Sequence, residues 1–268
     1  MSARRRSSLT FTVGIALLAG CSPASESSPA PAPTPEPTTA APVHWTYEGE
    51  EGPADWAELS EDFETCGTGT QQSPIDLPTA APAATTTAEL SDGEVDGTVS
   101  DTGHSLQLTG DGADESVVVD GDEYQLAQLH VHTPSEHTVN GVAHDAEVHL
   151  VHAEGDEILV VGVFVDEGAP SQTWQGFIDA AAESAEDHAL ELTTSEILPD
   201  ELGYYTYSGS LTTPPCTESV RWIVLADPIE MSAEQLDALE AVHEGNARPT
   251  QPLNGRDLTG GTLAIDAG

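Results

Sequence analysis

Lysine is missing from this sequence altogether. Its strong cations are six arginines, set against 47 aspartates and glutamates, and the formal net charge is −41. Proteins that bind nucleic acid neutralise phosphates with basic patches, so that class is excluded. Cysteine is nearly absent as well. Of three, Cys21 closes an N-terminal leader, which leaves Cys66 and Cys216 for the body of the chain. In an exported protein an even pair reads as one disulfide rather than a thiolate metal site. The apolar run "LTFTVGIALLAG" (9–20) is too short to cross a bilayer as a helix. Strong charge alone suggests disorder, but the acids are scattered through apolar alternation instead of gathering in blocks.

The leader places Arg4, Arg5 and Arg6 ahead of that apolar run, as a signal peptide does. It ends in "LAGC", which resembles the cleavage box of bacterial lipoproteins. The resemblance implies a signal peptide over 1–20 and a mature chain that begins at a lipidated Cys21. Sec and twin-arginine export both stay open, although the residues after Arg6 fit the second poorly. Residues 21–42 continue in proline, alanine, serine and threonine without a large apolar side chain, and so form an extended spacer. Residues 43–268 suffice for one domain with a single sizeable core. The expected location is extracytoplasmic, on a lipid anchor in the cell membrane. The lack of lysine fits a hydrated acidic surface of the halophilic kind.

Strand signals dominate that domain. "SVVVDGDEYQLAQLHVH" (116–132) carries β-branched runs around a turn at Asp120-Gly121, and "EVHLVHAEGDEILVVGVFV" (147–165) reads as a hairpin joined at "AEGDE". "ESVRWIVLA" (218–226) is a further strand. Two helices are expected. One spans 171–183, with Trp174, Phe177, Ile178 and Ala181 on one face; the other spans 232–244, where Ser232 and Gln235 form a capping box ahead of Leu236 and Leu239. The fold class is mainly β with peripheral α, a single domain on a large, twisted, mostly antiparallel central sheet.

Residues 130–152 hold six of the ten histidines. Side chains at i and i+2 of a strand share a face, so His130 and His132 project together with Gln128. The following strand carries Glu147, His149 and Val151 on one face. If the two strands pair antiparallel, His149 lands opposite the His-x-His pair. Three neutral imidazoles on a rigid sheet leave a fourth tetrahedral position open, the design of a catalytic zinc site. Gln128 and Glu147 are placed to accept the free N–H groups of the ligand rings. His137, His144 and His152 fall outside the set, His152 by parity and the others by lying in or near the connection.

Several motifs then converge in order along the chain: "QQSPIDL", "GHSLQL", "QLHVHTPSEHTVNG", "AEVHLVH" and "YYTYSGSLTTPPCTE". Together they resemble the α-class of carbonic anhydrase in its bacterial exported form, from about His44-Trp45 to "NARPTQPLNGR". The resemblance implies reversible hydration of carbon dioxide to bicarbonate and a proton by a zinc-held hydroxide, with Zn2+ on His130, His132 and His149. It also implies that Thr212 accepts a hydrogen bond from that hydroxide and donates one to Glu136. Thr213 becomes a substrate-side hydroxyl. Val151, Val160, Leu211 and Trp222 match the apolar wall where carbon dioxide docks. Tyr47, Gln107 and Tyr207 match polar residues of the solvent network, and His104 matches the proton shuttle. Thr102 departs from the asparagine usual two residues before that histidine, which puts the rate of proton transfer in question.

Three other readings stand beside it. The same hydroxide could attack activated esters, making a zinc esterase. A non-catalytic binding module of this fold would be expected to lack a ligand histidine, and none is missing. An acidic cation-binding coat protein would explain the charge but not the tripod. The expected partners are the small-molecule substrate and, through the lipid alone, a membrane, with a homodimer left open.

Overall fold

Alternation of apolar and polar residues builds the sheet strand by strand. In Glu94–Asp101, for example, Val95, Gly97 and Val99 turn inward while their neighbours face solvent. The structure is a computed structural model that describes residues 43–110, 115–182 and 188–266. The leader, Cys21 and the spacer lie outside the described residues.

The main sheet runs in the spatial order His188–Thr193, Glu94–Asp101, Leu106–Gly110, Asp122–His132, Ala146–Glu154, Glu157–Glu167, Glu218–Leu225, Gly203–Ser210 and Thr259–Thr262. Most neighbours are antiparallel, as expected. A parallel seam crosses the middle, where Glu157–Glu167 pairs with Glu218–Leu225. The helix Gln172–Ala182 and two strands intervene between those partners, and a crossover of that length is what a parallel pairing requires. Both expected hairpins form. Asp120 and Gly121 take positive φ (55° and 100°) in the turn before Asp122–His132, and Gly155 does so (φ 59°) in the turn before Glu157–Glu167. The helix Ala233–Glu240 has the expected Ser232–Gln235 capping box. It stops before 244, where the Val242 amide tightens the last turn by bonding the Leu239 carbonyl three residues back.

One irregularity decides which way the histidines face. The register of Asp122–His132 against Ala146–Glu154 shifts between Leu126 and Gln128. Before this bulge the buried core residues are Tyr124 and Leu126; after it they are Leu129 and Val131. A single extra residue exchanges the two faces of a strand. Without it His130 and His132 would share the face of Tyr124 and Leu126. With it they stand on the opposite face.

That opposite face carries a second apolar cluster, including Ile75, Leu77, Val160, Tyr207, Val220 and Trp222. The larger core lies on the other side, where Trp174, Phe177 and Ile178 of the first helix close it. Cys66 and Cys216 are bonded, with Cα atoms 5.0 Å apart, and pack with Trp56.

Candidate metal centre

His130 and His149 are direct partners in the antiparallel ladder, and His132 lies opposite Glu147. The three rings stand 4.7–5.2 Å apart by centroid, and each offers a ligand nitrogen within 4.8 Å of the others. Hydrogen bonds behind the rings fix which nitrogen that is. His130 Nδ1 donates to Gln128 Oε1 at 2.8 Å. His132 Nδ1 donates to the Asn246 carbonyl at 2.7 Å. His149 Nε2 donates to Glu147 Oε1 at 3.0 Å. Every acceptor here lacks a proton to give, so the lone pairs left over are Nε2 of His130, Nε2 of His132 and Nδ1 of His149.

Electrostatics keep two of those rings neutral. Burial, reinforced by the charges of its neighbours His132 and His149, holds His130 well below the ordinary histidine value. Burial also lowers His132, against the pull of Glu136. For Glu147 burial acts upward, but His137 and His149 outweigh it and keep the carboxylate ionised well below its usual range. Burial likewise acts to lower His149, yet its bond to that carboxylate leaves it raised.

This donor set suits a cation. Among the described residues, His132 Nε2 and Glu136 Oε2 are buried with no hydrogen-bond partner, and such orphaned atoms are uncommon unless an ion or ligand satisfies them. Three imidazole lone pairs with a carboxylate nearby suit a divalent ion of the zinc type. A second grouping, His137 with Glu147 and His149, does not, because its atoms are spent on one another. Glu147 Oε1 accepts from His137 Nδ1 at 2.7 Å and from His149, while its Oε2 accepts the Glu136 and His137 amides.

A family model described as eukaryotic-type carbonic anhydrase matches residues 51–260. A carbonic anhydrase of Pectobacterium atrosepticum is 39% identical over 220 residues, covering 80% of this chain and 89% of its own. One of Klebsiella pneumoniae is 40% identical over 223 residues, with the same coverage. This chain belongs to the α-carbonic anhydrases. The general reaction of that family is carbon dioxide hydration, and its members are zinc enzymes. Among solved structures, the α-carbonic anhydrase of Thermovibrio ammonificans in complex with the inhibitor sulfanilamide matches with a TM-score of 0.74 at 38% identity, covering 82% of this chain and 100% of its own. The α-carbonic anhydrase of Photobacterium profundum matches at 0.73 and 35%, covering 83% and 100%.

Around the tripod the structure gathers most of the residues that the carbonic anhydrase resemblance singled out. Val151, Val160, Trp222 and Tyr207 form one row across four strands, and Leu211 packs on the same cluster. The Trp222 ring lies 4.9 Å from that of His149. Gln107 sits beside His130 in register and donates to Thr109 Oγ1 at 2.9 Å. Thr212 is buried and Thr213 half-buried in the loop that the disulfide closes. Its ends are tied by Leu211 N–H to the Thr217 carbonyl (2.9 Å) and Trp222 Nε1–H to the Ser210 carbonyl (3.0 Å).

Two expectations are corrected. The bond from Thr212 to Glu136 is not formed: Glu136 Oε2 has no hydrogen-bond partner and leans toward the rings, 3.6 Å from His132 Nε2 and 3.9 Å from His149 Nδ1. Tyr207 sits away from solvent, its hydroxyl bonded to His137 Nε2 at 2.7 Å and donating to Ser73 Oγ at 2.9 Å. Tyr47 is half-buried among Trp45 and Trp56, and burial, then the Glu136 charge, pushes its phenol far up, so it stays protonated. His104 lines an open cleft of roughly 380 Å³ and stacks on Trp45 at 3.7 Å.

Sequence reasoning missed three supports. His137 was set aside, yet it joins Glu147 to Tyr207. Asn246 acts through its backbone carbonyl, which no side-chain pattern reveals. The Arg248 amide donates to Glu136 Oε1 at 2.8 Å, while its guanidinium reaches the Ser73 and Cys66 carbonyls. The other two histidines set aside do stand apart. His144 bonds Asp166 at 2.7 Å, and His152 is buried against Glu115 at 3.0 Å.

Proposed function

We propose that this protein hydrates carbon dioxide to bicarbonate and a proton with zinc held by His130, His132 and His149, and that His104 carries the proton out. The observation that carries this reading is the convergence of three imidazole lone pairs, each aimed by an acceptor behind its ring. Zinc in such a site supplies Lewis acidity that makes water acidic near pH 7, a magnitude known from carbonic anhydrases themselves and not obtained from this chain.

The chain's own residues supply the rest. Gln128, Glu147 and the Asn246 carbonyl orient the ligand rings. Val151, Val160, Leu211 and Trp222 offer carbon dioxide an apolar wall from which water is excluded. Glu136 holds one carboxylate oxygen on the Arg248 amide and turns the other toward His132 and His149. His104 is half-buried in its cleft beside Trp45, and burial, followed by the charges of His243 and His44, holds it below the ordinary 6.5. It is therefore a neutral acceptor at pH 7 that can still give the proton back to buffer. The signal peptide and Cys21 support placing this activity outside the cytoplasm on a lipid anchor.

The test is His149→Ala, read by metal analysis and by proton release from carbon dioxide. Loss of both stoichiometric zinc and activity is expected. Full activity in that variant would sink the assignment.

A further inference from the structure

A second imidazole reaches the His104 cleft, and the reaction as described has not used it. His243 Nε2 donates to Asp101 Oδ1 at 2.7 Å, and the same oxygen accepts the Gly103 N–H at 2.7 Å. Burial acts to raise Asp101, but the Gly103 bond and the bond and charge of His243 outweigh it, so this carboxylate is ionised at neutral pH. With its Nε2–H committed to Asp101, neutral His243 keeps a lone pair on Nδ1, for which the described residues supply no hydrogen-bond partner.

The ring is held in place from its own backbone. The His243 amide donates to the Leu239 carbonyl at 3.4 Å, at the C-terminal end of the helix Ala233–Glu240, where a positive charge is favoured. The His243 carbonyl accepts from Thr133 Oγ1 at 3.2 Å. Three residues on, Asn246 Nδ2 donates to the His104 carbonyl at 3.1 Å. One short segment thus spans the shuttle loop and the strand that carries the metal ligands.

We propose that His243, backed by Asp101, is a second proton station that takes the proton from His104 and passes it to solvent. The proposal rests on His104 being the shuttle. Both rings line the same cleft, so cavity water can connect them. The accounting closes: the proton leaving His104 binds at His243 Nδ1, giving an imidazolium whose other N–H faces the Asp101 carboxylate. It then leaves Nδ1 for buffer or bulk water, and His243 returns to its starting state. The other charged and titratable groups around this cleft are His44, itself bonded to Glu51 at 3.1 Å, with Glu48, Glu244 and the phenol of Tyr47. The carboxylates among them favour a proton moving outward.

A purely structural role would make His243 a pin for the Asp101–Gly103 turn. His243→Gln separates the two roles, since an amide N–H can still bond Asp101 but cannot carry a proton. In dilute buffer its turnover should fall several-fold and recover when imidazole is added, with a melting temperature like that of the parent. Exchange of carbon dioxide with bicarbonate at chemical equilibrium, which needs no net proton export, should keep its rate. Because the stations act in series, adding His243→Gln to His104→Ala should slow turnover no further. Turnover unchanged in His243→Gln while His104→Ala slows overturns this inference alone. A loss that imidazole does not restore also overturns it, in favour of the pin. No buffer-dependent loss in His104→Ala overturns the shuttle reading and removes the donor to His243 with it.

Discussion

His132 gives its Nδ1 proton to a backbone carbonyl, His130 its Nδ1 proton to an amide oxygen and His149 its Nε2 proton to a carboxylate, so three chemically different acceptors set the ligand nitrogens. Removing one acceptor leaves its ring free to turn. We expect Gln128→Ala to weaken zinc by about 10–100-fold, the range that zinc sites of this family and others show for such partners. Competition with a chelator measures it, and unchanged affinity would contradict the proposed orientation by Gln128. The tripod was legible in the sequence because strand periodicity forces His130, His132 and Gln128 onto one face and Glu147 and His149 onto another. The Asn246 carbonyl and the Arg248 amide were not, since backbone groups carry no residue signature. His104 gives a second check at this scale. Burial and its two histidine neighbours place its titration below 6.5, so NMR of its ring protons should show it largely neutral at pH 7. A midpoint above 6.5 would remove the basis for a neutral acceptor.

Among the elements, the strand Asp122–His132 shows what alternation can and cannot reveal. Its hairpin turn at Asp120-Gly121 and its pairing with Ala146–Glu154 follow from turn residues and apolar runs. The bulge at residue 127 does not announce itself, although Leu126 and Leu129, three apart and both in the core, are its trace. Inserting one alanine between Gln128 and Leu129 should exchange the faces a second time and turn His130 and His132 toward the core. Such a variant is expected to lose zinc even where it retains the disulfide and strand content by circular dichroism. Retention of stoichiometric zinc would show that the register recovers by another route. The parallel seam was hidden for a different reason: pairing direction across a long crossover is set by the whole topology and not by either strand's sequence.

At the scale of the whole molecule, residues 43–268 carry 45 acids against three arginines. A domain of this size exposes roughly 10,000 Å², which spaces the uncompensated charges about 15 Å apart on average. The Debye length is roughly 10 Å at 0.1 M salt and about 3 Å at 1 M, so neighbouring charges repel in dilute salt and are screened at high salt. Arg248 is buried and Arg221 faces Asp120 at 3.7 Å, so three cations do little to offset the repulsion among 45 acids. The melting temperature should climb steeply between dilute buffer and about 1 M sodium chloride. A flat or falling curve would mean that core packing and the disulfide outweigh surface repulsion.

The central claim is that one metal ion on three histidines makes this fold a catalyst. Stripping the metal and titrating zinc back while following carbon dioxide hydration tests it most directly. The account predicts no activity without metal and a linear return that saturates at one zinc per chain. Activity that persists in metal-free protein, or zinc binding at one equivalent without carbon dioxide hydration, would contradict it.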